Sequence, residues 1–76
     1  MLRKNSNDFT KRCGKIIRNA RQRMGLTPDD LAERAILSES SVVRVERGQN
    51  STLVTFKALC DALHLDVSDV LRKAMR

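Results

Sequence analysis

Few residues in this 76-residue chain could do chemistry, and their spacing rules out most reactions. There is a single histidine, His64, so no pair of imidazoles can form. Cys13 and Cys60 lie 47 positions apart, which matches no metal-ligand spacing. Both fall on apolar helical faces, so two buried free thiols are the simplest reading, and a disulfide between them is the alternative. Asp29 and Asp30 are neighbours, so on a helix they point in different directions and cannot work as an acid–base pair. No glycine-rich phosphate loop is present, nor any tyrosine or tryptophan. The chain is therefore expected not to be an enzyme, with no cofactor, no metal and no small-molecule substrate.

What remains is charge. The formal net charge is +6, and its distribution is uneven. Residues 1–25 carry eight Lys/Arg against one Asp, whereas residues 26–76 carry seven against eight Asp/Glu. A basic segment of this kind favours a polyanionic partner such as nucleic acid, the alternative being a solvated charged surface. Aromatic residues are only Phe9 and Phe56, both better explained by packing, so a platform for stacking unpaired bases is missing. That favours double-stranded DNA over RNA. No run of about eighteen apolar residues exists, so no membrane span is expected. The basic start MLRKNSND leads into no apolar signal core, which points to a cytoplasmic protein.

The elements that must position these charges are helices. One domain is the most that 76 residues can form, and a chain that is 41% hydrophobic but 3% aromatic must build its core from aliphatics. The organising stretch is Thr27 to Gly48. Thr27 can cap a helix with its hydroxyl, Pro28 suits the first helical position, and Asp29 and Asp30 complement the positive end of the dipole. Leu31, Ala32 and Ala35 give that helix an apolar stripe. Ser38 is a second cap signal, and Val42 and Val45 are the apolar positions of a second helix that ends before Gly48. Only about three residues, Ile36 to Ser38, separate the two. So tight a turn forces the helices to cross, the geometry of a helix-turn-helix that offers its second helix to a DNA groove.

On these residues the chain resembles the Cro/phage-repressor family of helix-turn-helix regulators (the XRE type) from bacteria and phages. The match rests on Leu31-Ala32, Ser38, Val42 and Val45-Glu46-Arg47-Gly48, with Arg21 and Gly25-Leu26 upstream. It continues through Leu59, Leu63 and Leu71. The resemblance implies a compact all-α domain of five helices, lambda-repressor-like, with the helix-turn-helix at helices two and three. It also implies that Arg21 pairs with Glu46, bracing the first helix against the end of the recognition helix. Two positions depart from the family. Ile36 stands where the turn usually has glycine, so the turn must change conformation or tolerate strain. Pro28 stands where a phosphate-binding glutamine is common, and it offers no donor.

In chain order, residues 1–8 read as a flexible arm and residues 9–76 as the DNA-binding domain. The first helix starts near Asn7 or Asp8 and runs to about Met24, with Cys13, Ile16, Ile17, Ala20 and Met24 on its apolar stripe. Lys11, Lys15, Arg18 and Gln22 fall on the opposite face, most of it expected to be solvated, with only its end near a phosphate. After Gly48 a polar loop leads to Thr52, the cap of a fourth helix with Leu53, Phe56, Leu59, Cys60 and Leu63 on one face. Asp66 opens a fifth helix carrying Val67, Val70, Leu71, Ala74 and Met75.

The contacts expected with DNA follow from the motif. Glu39, Ser40 and Arg44 face base edges, with Val43 near a thymine methyl. Thr27 and Ser38 offer capped helix starts to phosphates, and Arg47, Gln49 and Asn50 grip the backbone. Leu71, Ala74 and Met75 are expected at the interface of a homodimer. The function implied is a sequence-specific transcriptional regulator, a repressor that occludes a two-fold operator. The alternative is a protein-interaction module of the same fold, an antitoxin or a polymerase-binding factor, with Glu39, Asp29 and Asp30 facing a basic partner.

Overall fold

Side chains that satisfy otherwise free N–H groups mark where the helices begin. In the computed structural model, which describes residues 2–76 and side chains from Asp8 onward, the helices are α1 (Leu2–Arg23), α2 (Pro28–Ala35), α3 (Glu39–Glu46), α4 (Leu53–Ala62) and α5 (Val67–Ala74). The hydroxyl of Thr27 accepts from the Asp30 N–H at 3.0 Å, and the Asp30 carboxylate accepts from the Thr27 N–H at 2.9 Å. This reciprocal box fixes the start of α2. Ser38, Thr52 and Asp66 cap α3, α4 and α5 through the N–H groups of Ser41, Thr55 and Ser68. The beginning of α1 lies ahead of the start expected near Asn7 or Asp8. The expected arm, residues 1–8, falls outside the described side chains except for Asp8.

Every helix contributes to one aliphatic core. Ile17, Leu31, Val42, Leu59 and Val70 come one from each of the five helices and are almost wholly removed from solvent. Each such side chain stabilises the fold by roughly 1.5–3 kcal/mol through burial. Cys60 is fully enclosed and Cys13 nearly so, and both are free thiols. Burial pushes the Cys60 thiol up to about 11 and raises that of Cys13 as well, so neither is a ready nucleophile at neutral pH.

Helix α1 packs against α3 and α5, while α2 packs against α3 and α4. The contact of α1 with the end of α3 depends on two glycines. A Cβ on Gly14 would lie 2.3 Å from the Val45 carbonyl oxygen and 2.8 Å from that of Glu46. Gly48, at φ +79, turns the chain out of α3, and a Cβ there would lie 2.7 Å from the Lys11 Cα. At the other side Arg12 donates to the carbonyls of Ala74 and Arg76, at 3.3 and 3.0 Å, and so closes the C-terminal end of α5.

Three apolar positions depart from the expected faces. Met24 lies past the end of α1 and is 39% exposed. Leu53, expected in the core with Phe56, is 82% exposed, because it begins α4 in a first turn with little opposite it. Ala74, expected on an outward pairing face, has no exposed surface at all: the contact of α5 with α1 encloses it.

Candidate nucleic-acid interface

The helix-turn-helix is built around a strained residue. Ile36 ends α2 at φ 57 and ψ 50, the left-handed conformation that a β-branched side chain rarely takes. Its N–H bonds back into α2 and the Leu37 N–H reaches the Ala32 carbonyl at 2.9 Å, so the turn is closed without glycine. Three residues later α3 begins, with Val42 and Val45 turned into the core. The helical period then sends the intervening positions outward. Glu39, Ser40, Val43, Arg44, Arg47 and Gln49 line one shallow open concavity along the outer side of α3. The expected base-facing residues are thus on one surface, with Arg47 and Gln49 at its far end.

The other expected contacts are arranged differently. Asn50 lies with Ser51 and Thr52 on the rim of a separate, apolar cavity that also involves Phe9, Phe56 and Leu71. That cavity holds about 150 Å³, below the roughly 300–1,000 Å³ of ordinary ligand pockets, which argues against a small-molecule site. Thr27 and Ser38 are engaged as caps, and the Ser38 hydroxyl also lies 3.1 Å from that of Ser40 and 2.9 Å from that of Ser41. Leu71 is half-buried and Met75 is 67% exposed.

Behind α3, the Arg21 Nε and Nη2 donate to the two Glu46 carboxylate oxygens at 2.6 and 3.0 Å. Arg21 Nη1 adds a bond to the Leu26 carbonyl at 2.8 Å. Both side chains keep only 9% of their surface exposed. The bond to Glu46 raises the affinity of Arg21 for its proton still further, so the guanidinium stays charged. A forked, two-point bond of this kind fixes orientation as well as distance. Helix α3 is therefore clamped from behind, by charge at Glu46 and by close backbone approach at Gly14.

Arg44 and Arg47 are exposed, and neither forms an ion pair within the protein among the described residues. Sequence reasoning missed Gly14, Arg12 and the exposure of Leu53 and Val54. Gly14 did carry a signal, since glycine inside a helix costs about 1 kcal/mol relative to alanine and so asks for a packing reason.

Residues 14–75 match the helix-turn-helix domain family. The chain belongs to that family. Among solved structures, the clp gene regulator ClgR from C. glutamicum is similar, at 30% sequence identity and a TM-score of 0.77. The likeness covers 87% of this chain and 86% of that one. No curated protein sequence matches the chain. The fold is the compact five-helix, lambda-repressor-like domain of the XRE-type regulators. As a member of this helix-turn-helix family, the protein is a DNA-binding transcription regulator and not an enzyme. No helix is long and apolar enough to cross a membrane, among the described residues.

Proposed function

We propose that the protein is a sequence-specific repressor that binds a two-fold DNA operator as a homodimer, with α3 in the major groove. The observation that supports this most is the outward face of α3, where Glu39, Ser40, Val43, Arg44 and Arg47 share one open surface. None of these is needed for the core, and the two arginines are free to pair with something outside the protein. Arg44 can donate two bonds to guanine, Glu39 can accept from cytosine, and Val43 can rest on a thymine methyl. Arg47, Gln49 and Asn50 then hold the backbone beyond the end of α3. Thr27 and Ser38 lend their helix starts to the same strand, as hydroxyl donors whose acceptor side is already used in capping.

Selection of bound duplexes from a random pool tests the whole reading. A consensus with two-fold symmetry is expected. Arg44→Ala should lose ~1–3 kcal/mol on that consensus and relax one base position in each half-site, while Arg47→Ala weakens all duplexes alike. Unchanged base preference in Arg44→Ala would sink the groove assignment. A wild-type protein that shifted no duplex at low salt would favour the protein-interaction module instead.

A further inference from the structure

A second notch adjoins the outer face of α3. It lies where α1, the start of α2 and the end of α3 meet, and its walls are Arg18, Arg21, Pro28, Val43, Glu46 and Arg47. Val43 and Arg47 also line the recognition surface, so the two concavities are neighbours. Within the notch the charges divide cleanly. Arg21 and Glu46 are tied to one another and cancel. Arg18 and Arg47 are exposed and have no ion-pair partner among the described residues. Two arginines that border one open space put like charges around it, and an anion there would relieve their repulsion.

The start of α2 is a weak anion site by itself, with only the Asp29 N–H and the Thr27 hydroxyl to offer. Pro28 has no N–H to give. The Thr27 and Asp30 N–H groups are already spent on the capping box. The Asp30 carboxylate is also held ionised, since the bond from the Thr27 backbone lowers its pKa, and it would repel a phosphate approaching along the helix axis. Neither the Asp29 N–H nor the Thr27 hydroxyl carries a charge, so a cation at this corner comes from elsewhere in the fold.

We infer that Arg18 of α1, together with Arg47, grips a backbone phosphate of the bound DNA at this notch. The inference rests on the reading that α3 lies in the major groove, because that places the strand bordering the groove beside the start of α2. A guanidinium suits the task, with parallel N–H donors matched to two phosphate oxygens. Arg18 thus extends the protein's grip from the end of α3 to α1, and it makes the otherwise donor-poor corner at Pro28 competent for backbone contact.

The test uses the full chain and a mixed-sequence DNA duplex, since a phosphate contact acts on any sequence. Binding is measured across a salt series for wild type, Arg18→Ala, Arg18→Lys and Arg23→Ala. Arg23 is an exposed α1 arginine that lines a different surface, with Asn19 and Gln22, so its removal changes net charge equally. Arg18→Ala should bind about three- to tenfold more weakly at moderate salt and flatten the log–log salt dependence by about 0.9, the loss of one phosphate contact. Arg18→Lys should keep most of the slope, and Arg23→Ala should match wild type. If Arg18→Ala equals wild type, or if Arg23→Ala loses as much as Arg18→Ala, the assignment is overturned. Neutral methylphosphonate placed singly along a selected site locates the contact: one position should weaken wild type distinctly more than Arg18→Ala, which keeps only the Arg47 share of that phosphate. A wild type that binds no duplex removes the underlying reading itself, an outcome distinct from wild type binding with Arg18 inert.

Discussion

Ile36 is the residue at which local preference and fold disagree. Its left-handed backbone costs an L-residue about 1–2 kcal/mol. Its side chain returns little, since 89% of the residue is exposed. Ile36→Gly should therefore stabilise the domain. Part of the relief is offset by the greater freedom of glycine in the unfolded chain, leaving a gain of about 0.5–1 kcal/mol. For a domain of this size that is a rise in melting midpoint of roughly 2–8 °C. A lowered midpoint would mean that the isoleucine side chain makes a contact that holds the turn. At this scale much was legible in the sequence. Capping acts over three residues or fewer, so Thr27, Ser38, Thr52 and Asp66 could be read from residue type and position alone. The cost at Ile36 was legible too, but only as a choice between strain and another turn. Settling that choice needed the bonds from Ile36 and Leu37 back to α2.

At the scale of elements, what matters is how α1 holds α3. Three features share the seam: Arg21 with Glu46, Gly14 under the last carbonyls of α3, and Gly48 against Lys11. Glu46→Ala leaves a nearly buried guanidinium with only the Leu26 carbonyl, at a cost of about 3 kcal/mol or more. Gly14→Ala should cost a similar amount, because its new methyl meets backbone that cannot swing aside. Urea melts of each variant check this, and a midpoint near wild type for both would show that α1 can shift along α3 without penalty. Replacing Arg21 and Glu46 together by Met and Leu should recover much of the loss, since the expense lies in the orphaned charge. Little of this seam could be read from residue types. Arg21 and Glu46 are 25 residues apart, and family resemblance alone joined them. The Arg12 bonds span 62 and 64 residues to main-chain carbonyls, which carry no residue-type signal. Leu53 misled for a related reason. Its spacing from Phe56 fits one helical face, but periodicity says nothing about whether a neighbouring helix reaches that far along the axis.

At the scale of the whole molecule, the unsolved matter for the fold is its remaining apolar surface. Leu53 and Val54 are 82% and 80% exposed at the start of α4, and Met75 is 67% exposed at the end of α5. Leu53 and the half-buried Leu71 border the same apolar cavity, which joins the first turn of α4 to the face of α5. With Ala74 enclosed in the core, pairing of two copies would rest on Leu71 and Met75 from the expected set, and on Leu53 and Val54 in addition. The position suits a regulator. The start of α4 follows directly on the loop 47–52 that leaves α3, so two copies meeting there would set their α3 helices side by side. One eight-residue helix reads only a few base pairs, too few to define a site in a genome. Two-fold pairing doubles the reading if it spaces the recognition helices by one turn of DNA, about 34 Å. Leu53→Ser and Val54→Ser should therefore leave the melting midpoint near wild type while shifting sedimentation toward the monomer. They should also weaken binding to a two-fold site about tenfold or more, with little effect on an isolated half-site. A patch of four side chains would be small, so pairing is expected to tighten on DNA, and sedimentation of the complex is the decisive measurement. A wild-type protein that remains monomeric at high concentration and binds one-to-one on an asymmetric site would rule out the dimer.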